Sequence, residues 1–288
     1  MDNTYQIITD ATADLDPQTA AAPELKVIPM PVTMEGRTFH HYCDFREVSA
    51  KDFYDQLRGG AMPQTAQINI LTYLRAFIPA LKAGKDVVYL CFSSGLSGTI
   101  QSAHMVMAVL REKFPQRKIV CIDTLAASIG QGFFVRQALQ RQRLGDSFQQ
   151  LCDWAEERKL QVAHWFTVED LNHLHRGGRL SRTAAVAGTM LQIKPILTLD
   201  REGHLQVAGK VRGTVKAYQS MISRMKDTCT DFSCAYIGHC DAPESAEKLA
   251  QMARDAGIQT TLIAPIGPVI GSHVGAGMTA LVYWNSGR

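Results

Sequence analysis

The 288-residue chain is 46% hydrophobic and 20% charged, ordinary for a folded globular protein and incompatible with intrinsic disorder. Thirty Lys and Arg against 27 Asp and Glu leave +3 at pH 7, too small an excess to argue for a nucleic-acid partner. No stretch approaches the roughly 18 consecutive apolar residues of a membrane span, and the opening residues lack the basic-then-apolar pattern of a secretory signal.

In chain order, strands are predicted at Tyr5–Thr9, Leu25–Met30, Val87–Phe92 and Ile119–Ile122, where short apolar runs end in turn-forming residues. Between and after them, helical spacing covers Ala50–Leu57, Asn69–Leu81, Thr99–Phe114, Ser128–Arg141 and Phe148–Glu157. This alternation predicts a parallel sheet with helices on its faces, its ligand crevice outside the carboxyl ends of the strands. Three Ser- and Thr-rich segments, TDATAD, FSSGLSG and IDTLAAS, lie at those ends.

The pattern changes near residue 159. A strand at Val162–Phe166, helices at Val168–His175 and Ser181–Gln192, and strands at Ile196–Leu199 and His204–Val207 around an Asp200–Gly203 turn come next. Ala235–Gly238, a helix over Ala242–Ala256, Thr261–Ile266 and Ala280–Trp284 complete the set. The predicted fold is α/β in two domains, a parallel-sheet domain at 1–159 packed on an α+β domain at 160–288. The seven cysteines include no C-x-x-C pair and several sit in apolar runs, which suits a reducing cytoplasm and free thiols.

Three constellations could carry chemistry. The run Cys91–Thr99 takes a strand through a Ser- and Gly-rich turn into a helix, either an anion site or a simple helix cap. Gly95-Leu96-Ser97-Gly98-Thr99 also nearly matches the nucleophile elbow of hydrolases, so an esterase using Ser97 or Ser94 with His273 is the alternative reading. The second is Gly267–Gly277, glycines framing His273, which is either a hydrogen-bond donor to an anion or a structural residue in a tight turn. The third is Arg176, Arg179 and Arg182 at spacing three around Gly177-Gly178, in a stretch without Asp or Glu from Leu171 to Leu199. Arginine forks there suit phosphate or an acidic partner; a solvated helix end is the alternative. No histidine or cysteine spacing matches a metal site, and no G-x-x-x-x-G-K-[ST] phosphate loop occurs.

In this order, Thr9–Leu15, Pro63–Gln67, Ser93–Ser102, Ile122–Thr124, Gly177–Ser181 leading to Ile193–Leu197, and Gly271–Gly277 resemble the DegV family. These are bacterial fatty-acid-binding proteins that serve as the binding subunit of fatty acid kinase. The resemblance implies one long-chain fatty acid in an apolar tunnel between two domains. It implies that Thr65 and Ser94 hydrogen-bond the carboxylate, with His273 completing the network and the Gly95 backbone nearby. A separate ATP-dependent kinase would phosphorylate that carboxylate, leaving this chain a non-enzymatic carrier without a cofactor. Arg176, Arg179 and Arg182 become candidates for kinase or acyl-phosphate contact. The chain departs from the family pattern at Ala66, Ile68 and Ala276, which bears on ligand preference.

Overall fold

The computed structural model describes residues 5–180 and 192–288. Strands β1 (Tyr5–Asp10), β2 (Leu25–Ile28), β6 (Asp86–Cys91) and β7 (Ile119–Asp123) form an all-parallel sheet in the order β2-β1-β6-β7. They read as apolar runs rather than alternating ones because helices cover both faces. Ile7, Ile8, Val87, Val88 and Leu90 are fully buried. The helices are α1 (Pro17–Ala20), α2 (Ala50–Arg58), α3 (Ile70–Lys82), α4 (Thr99–Lys113), α5 (Ile129–Arg143) and α6 (Phe148–Arg158). Ser49, Asn69 and Ser147 cap α2, α3 and α6 through side chains that accept backbone N–H groups of the first turn.

The predicted strand Leu25–Met30 is divided at Pro29, which has no N–H to extend a ladder. Beyond Pro29 the chain forms a hairpin that its periodicity does not suggest. Strands β3 (Met30–Met34) and β4 (Arg37–His41) pair antiparallel across Glu35 and Gly36, both at positive φ (48° and 74°), as a two-residue primed turn requires. The short β5 (Gln64–Thr65) adds to β3, completing a three-stranded sheet that positions Thr65.

The six-stranded second sheet has the order β10-β9-β8-β13-β11-β12. Its members are β8 (Val162–Thr167), β9 (Ile193–Leu199), β10 (Leu205–Arg212), β11 (Cys229–His239), β12 (Thr260–Pro265) and β13 (Thr279–Asn285). All pairs are antiparallel except β11 with β12. The predicted β9–β10 hairpin is present, its turn held by the Asp200 carboxylate, which accepts the N–H groups of Glu202 and His204 at 2.9 Å. The predicted helix from Val168 shrinks to α7 (Asn172–Arg176), which follows a local turn where the Asp170 carboxylate accepts the Asn172 N–H at 2.8 Å. Helix α8 (Thr214–Thr228), absent from the prediction, buries Ala217, Tyr218, Met221, Ile222 and Met225 on one face. Helix α9 (Pro243–Asp255) is as expected. The glycine-framed segment around His273 is not a loop: Pro268–Val274 is helix α10, begun by a proline at its first position. Arg182, and all of the predicted 181–192 helix except Gln192, lie outside the described residues.

The two sheets meet across α5. Phe133 stacks edge-on to Tyr236 at 5.1 Å and lies 4.9 Å from Trp284, while Phe134 stacks on Trp154 at 4.8 Å. Such aromatic contacts contribute about 0.5–1.5 kcal/mol each beyond the area they bury, so α5 is a fixed spacer between the halves.

Candidate ligand site

The three loops at the carboxyl ends of β1, β6 and β7 converge, as the open parallel sheet predicts. Thr12, Ser97 and Ser128, one from each, line a cavity of about 230 Å³. A single water needs only roughly 10–15 Å³, so this space is built for something larger. Its floor is one face of the second sheet. His164 and Phe166 on β8 stand beside their β13 register partners Val282 and Ala280, and Leu199 and Leu205 extend the face. Helix α10 supplies Val269, Ile270, His273 and Val274. The wall is mostly aliphatic and aromatic, which suits a hydrocarbon and offers little to a polar ligand.

Polar groups with capacity to spare gather at one end. Thr65 Oγ1 and His273 Nε2 share a hydrogen bond of 2.9 Å. His273 Nδ1 is buried without a hydrogen-bond partner. Burial, reinforced by the Arg179 guanidinium, pushes the His273 pKa down to about 4, so the ring is neutral at pH 7. Arg179 is half-buried, its Nε donating to the Leu96 carbonyl at 3.1 Å and Nη1 to that of Gly177, and burial lowers its pKa. Ser97 and Gln67 complete this end of the lining. Thr65, Arg179 and His273 also face a second, more polar hollow of about 360 Å³, lined further by Gln64, His173, Arg176 and Ser272. The Thr65–His273 pair therefore stands between an apolar interior and a cationic exterior.

The other polar atoms of the wall are engaged by the protein. Thr12 Oγ1 bonds Asp10 and Gln131, and Ser128 Oγ donates to Asp14 at 2.6 Å. His164 Nδ1 shares a 3.1 Å bond with the Val162 carbonyl, and burial lowers the pKa of this ring to about 3, which keeps it neutral. Neutral and hydrogen-bonded, these groups do not oppose an apolar ligand.

Among the residues singled out from sequence, the structure brings together Thr65, His273 and Arg179. Ser94 is exposed, with its N–H donating to Asp123 at 3.2 Å, and neither Ser94 nor Gly95 lines the cavity. Gly95 instead packs against the β9–β10 turn, where a Cβ would come within 2.6 Å of the Gly203 backbone. Ser97 takes the lining position, and its Oγ accepts the Thr99 N–H at 3.2 Å, one residue ahead of Gly98, which is the N-cap of α4. The Ser–His pair an esterase needs is not made by either serine: Ser97 Oγ bonds Thr99 Oγ1 at 2.8 Å, and His273 is engaged by Thr65. Arg176 is exposed and beside His173, 3.3 Å away. The first glycine of the Gly-Gly break makes room for His273 itself, since a Cβ on Gly177 would collide with its Nδ1. Sequence reasoning missed Ser128 and Thr12 as lining residues, although both stand in the Ser- and Thr-rich segments at the strand ends. Among the described residues, no group of His, Cys, Asp and Glu is placed to hold a metal ion, and no helix is long and apolar enough to cross a membrane.

Residues 4–286 match the family model described as "Uncharacterised protein, DegV family". The chain is 36% identical over 282 residues to a DegV domain-containing protein of Clostridium perfringens, covering 97% of each. It is 35% identical over 280 residues to one of Lactococcus lactis, covering 96% of each. Among solved structures, a fatty-acid-binding DegV family protein from Thermus thermophilus matches with a TM-score of 0.88 and 28% identity, over 98% of this chain and 99% of that one. A fatty-acid-binding DegV family protein from Streptococcus agalactiae matches with a TM-score of 0.85 and 29% identity, over 96% and 97%.

Proposed function

This chain belongs to the DegV family, and from that premise we propose that it binds one long-chain fatty acid, acyl chain in the apolar cavity and carboxylate at the Thr65–His273–Arg179 end. The observation that carries the reading is the cavity itself, walled mostly by aliphatic and aromatic side chains, with Thr12, Ser128 and His164 engaged by the protein and Thr65, Arg179 and His273 gathered beside the outer hollow. Two similar solved structures, each a fatty-acid-binding DegV protein, support the ligand class.

The energetics agree with the arrangement. Each buried methylene contributes about 0.8 kcal/mol, so a sixteen-carbon chain contributes on the order of 10 kcal/mol before the costs of association. A carboxylate leaving water needs donors and a countercharge. Arg179 supplies the charge. A neutral His273 whose Nε2–H donates to Thr65 Oγ1 leaves the threonine proton free to donate to the carboxylate. Ser97, on the same wall, is a second hydroxyl donor.

The carboxylate so held borders the polar hollow around His173, Arg176 and Ser272, where a partner kinase reaches it and the arginines meet the phosphoryl group being transferred. In this reading the chain presents the lipid and catalyses nothing alone.

Mass spectrometry of the purified full chain, native and then denatured, with solvent extraction of what is released, tests the reading. A stoichiometric long-chain fatty acid is expected. A clean apo mass together with no uptake of added fatty acid overturns it.

A further inference from the structure

We propose that Ile129 is the stop that sets how long an acyl chain the cavity accepts, and that a second hollow behind it would take the tail of a longer one. The inference rests on the lipid-binding reading above.

Helix α10 gives the cavity a direction. Near its carboxyl end His273 meets Thr65 at the polar site. At its amino end the Gly267 N–H donates to Asp14 Oδ1 at 2.8 Å. Six residues at about 1.5 Å rise separate those points by about 9 Å, and Val269 and Ile270 line the cavity between them. Ser128 donates to the other oxygen of the same Asp14 carboxylate, so Ile129, the next residue, stands on the side of the cavity away from the polar site.

Behind it lies a separate hollow of about 280 Å³, apolar at Leu15, Tyr236, Leu262 and Ala264 and polar at Gln18 and the Arg136–Asp16 ion pair. Among the described residues, Ile129 alone borders both spaces. Ile129 is therefore the wall the two spaces share, next to the Ser128–Asp14 hydrogen bond. Ile129 is held in place by β11, where the absence of a side chain on Gly238 makes room for it. A Cβ there would lie 3.0 Å from Ile129 Cδ1 and 3.2 Å from its Cγ1. A rigid side chain wedged against backbone makes a sharp limit, because close-packed interiors do not yield continuously.

The test uses delipidated full-length protein and a series of straight-chain saturated fatty acids, with affinity measured for each length. Wild type is expected to show a cut-off in length. Ile129→Ala is expected to raise affinity for the first excluded acids by about tenfold, the worth of burying about two further methylenes. Ala264→Trp, which fills the second hollow, is expected to leave the wild-type profile unchanged and to cancel the gain when combined with Ile129→Ala. If Ile129→Ala does not fold, Ile129→Val is read instead, with an expected gain of about threefold for the first excluded acid, from one methylene fewer in the wall. An unmoved cut-off in the folded variant, or a shifted profile in Ala264→Trp alone, overturns the inference while wild-type binding leaves the lipid reading intact. A wild type that takes up no acid of any length overturns both.

Discussion

Asp14 accepts a 2.8 Å hydrogen bond from the backbone N–H of Gly267, 253 residues further along the chain. The loop after the first strand thereby holds the amino end of the helix that carries His273. The same carboxylate accepts from Ser128 Oγ at 2.6 Å and lies 3.5 Å from His41 Nε2, so one buried side chain joins the first loop, the start of α5 and α10.

Asp14→Ala strands the Gly267 N–H and the Ser128 hydroxyl in a buried place, at about 1–3 kcal/mol for each group left unsatisfied. A lower urea midpoint and weaker fatty-acid binding are expected together. Asp14→Asn keeps one acceptor oxygen and should lose less of both. Unfolding curves that coincide with wild type would contradict this account.

The head-group assignment separates carboxylate from hydrocarbon. Thr65→Val and His273→Ala should each weaken a fatty acid by about 10- to 100-fold, the worth of about 1.5–3 kcal/mol in a hydrogen bond to a charged group. The primary alcohol of equal chain length should bind those variants and wild type alike. Ser97→Ala should behave as Thr65→Val does, and Ser94→Ala as wild type, because only Ser97 of the two lines the cavity. Isothermal titration with the acid and alcohol pair decides the matter.

Gly177→Ala drives a methyl carbon into His273 Nδ1, and the ring, partly buried and bonded to Thr65, has to move. Fatty-acid affinity should fall on the scale of His273→Ala, and the imidazole NMR signals of His273 should shift. An unperturbed ring and unchanged affinity would mean that the backbone gives way instead.

Arg176→Ala tests the outer hollow separately from the lipid. The residue is exposed and lines that hollow but not the cavity, so fatty-acid affinity should be unchanged while, on the proposed function, phosphoryl transfer from an added fatty acid kinase slows. Equal loss in both assays would place Arg176 in lipid binding instead.

Stability should fall as the pH is lowered from about 6.5. Burial takes His273 down to about 4 and His164 to about 3, the first helped by Arg179 and the second by Arg288. Between the ordinary histidine value near 6.5 and those values, the unfolded chain takes up protons that the folded one does not. The stability these neutral rings contribute is thus whole above about 6.5 and lost progressively toward pH 4 and below. Melting temperatures between pH 7.5 and 5 should decline, and His164→Asn should flatten the decline.

Much of the architecture is legible in residue order. The strand and helix alternation through Arg143 follows from apolar runs and helical spacing, which are local, and Ser49, Asn69 and Ser147 announce their helices within one turn. The β3–β4 hairpin is not legible as pattern, because in Arg37–His41 only Phe39 and His41 are buried and the signal is too short. Helix α8 does carry a readable face, at Ala217, Tyr218, Met221, Ile222 and Met225, although the sequence reading passes over it.

The site divides along the same line. The residue types are visible in sequence: hydroxyls after strands, a histidine among glycines, and arginines without acidic neighbours. Folding chooses between Ser94 and Ser97, three residues apart in one turn, because Gly95 packs on a distant hairpin and fixes which serine faces inward. It also makes the glycines around His273 and Ile129 serve close packing of side chains rather than approach of a ligand. Secondary structure and turn chemistry depend on neighbours within a few residues, so they can be read along the chain. A cavity is space left between surfaces whose residues lie far apart in that order, and its polar end, its length and its stop are properties of how those surfaces pack.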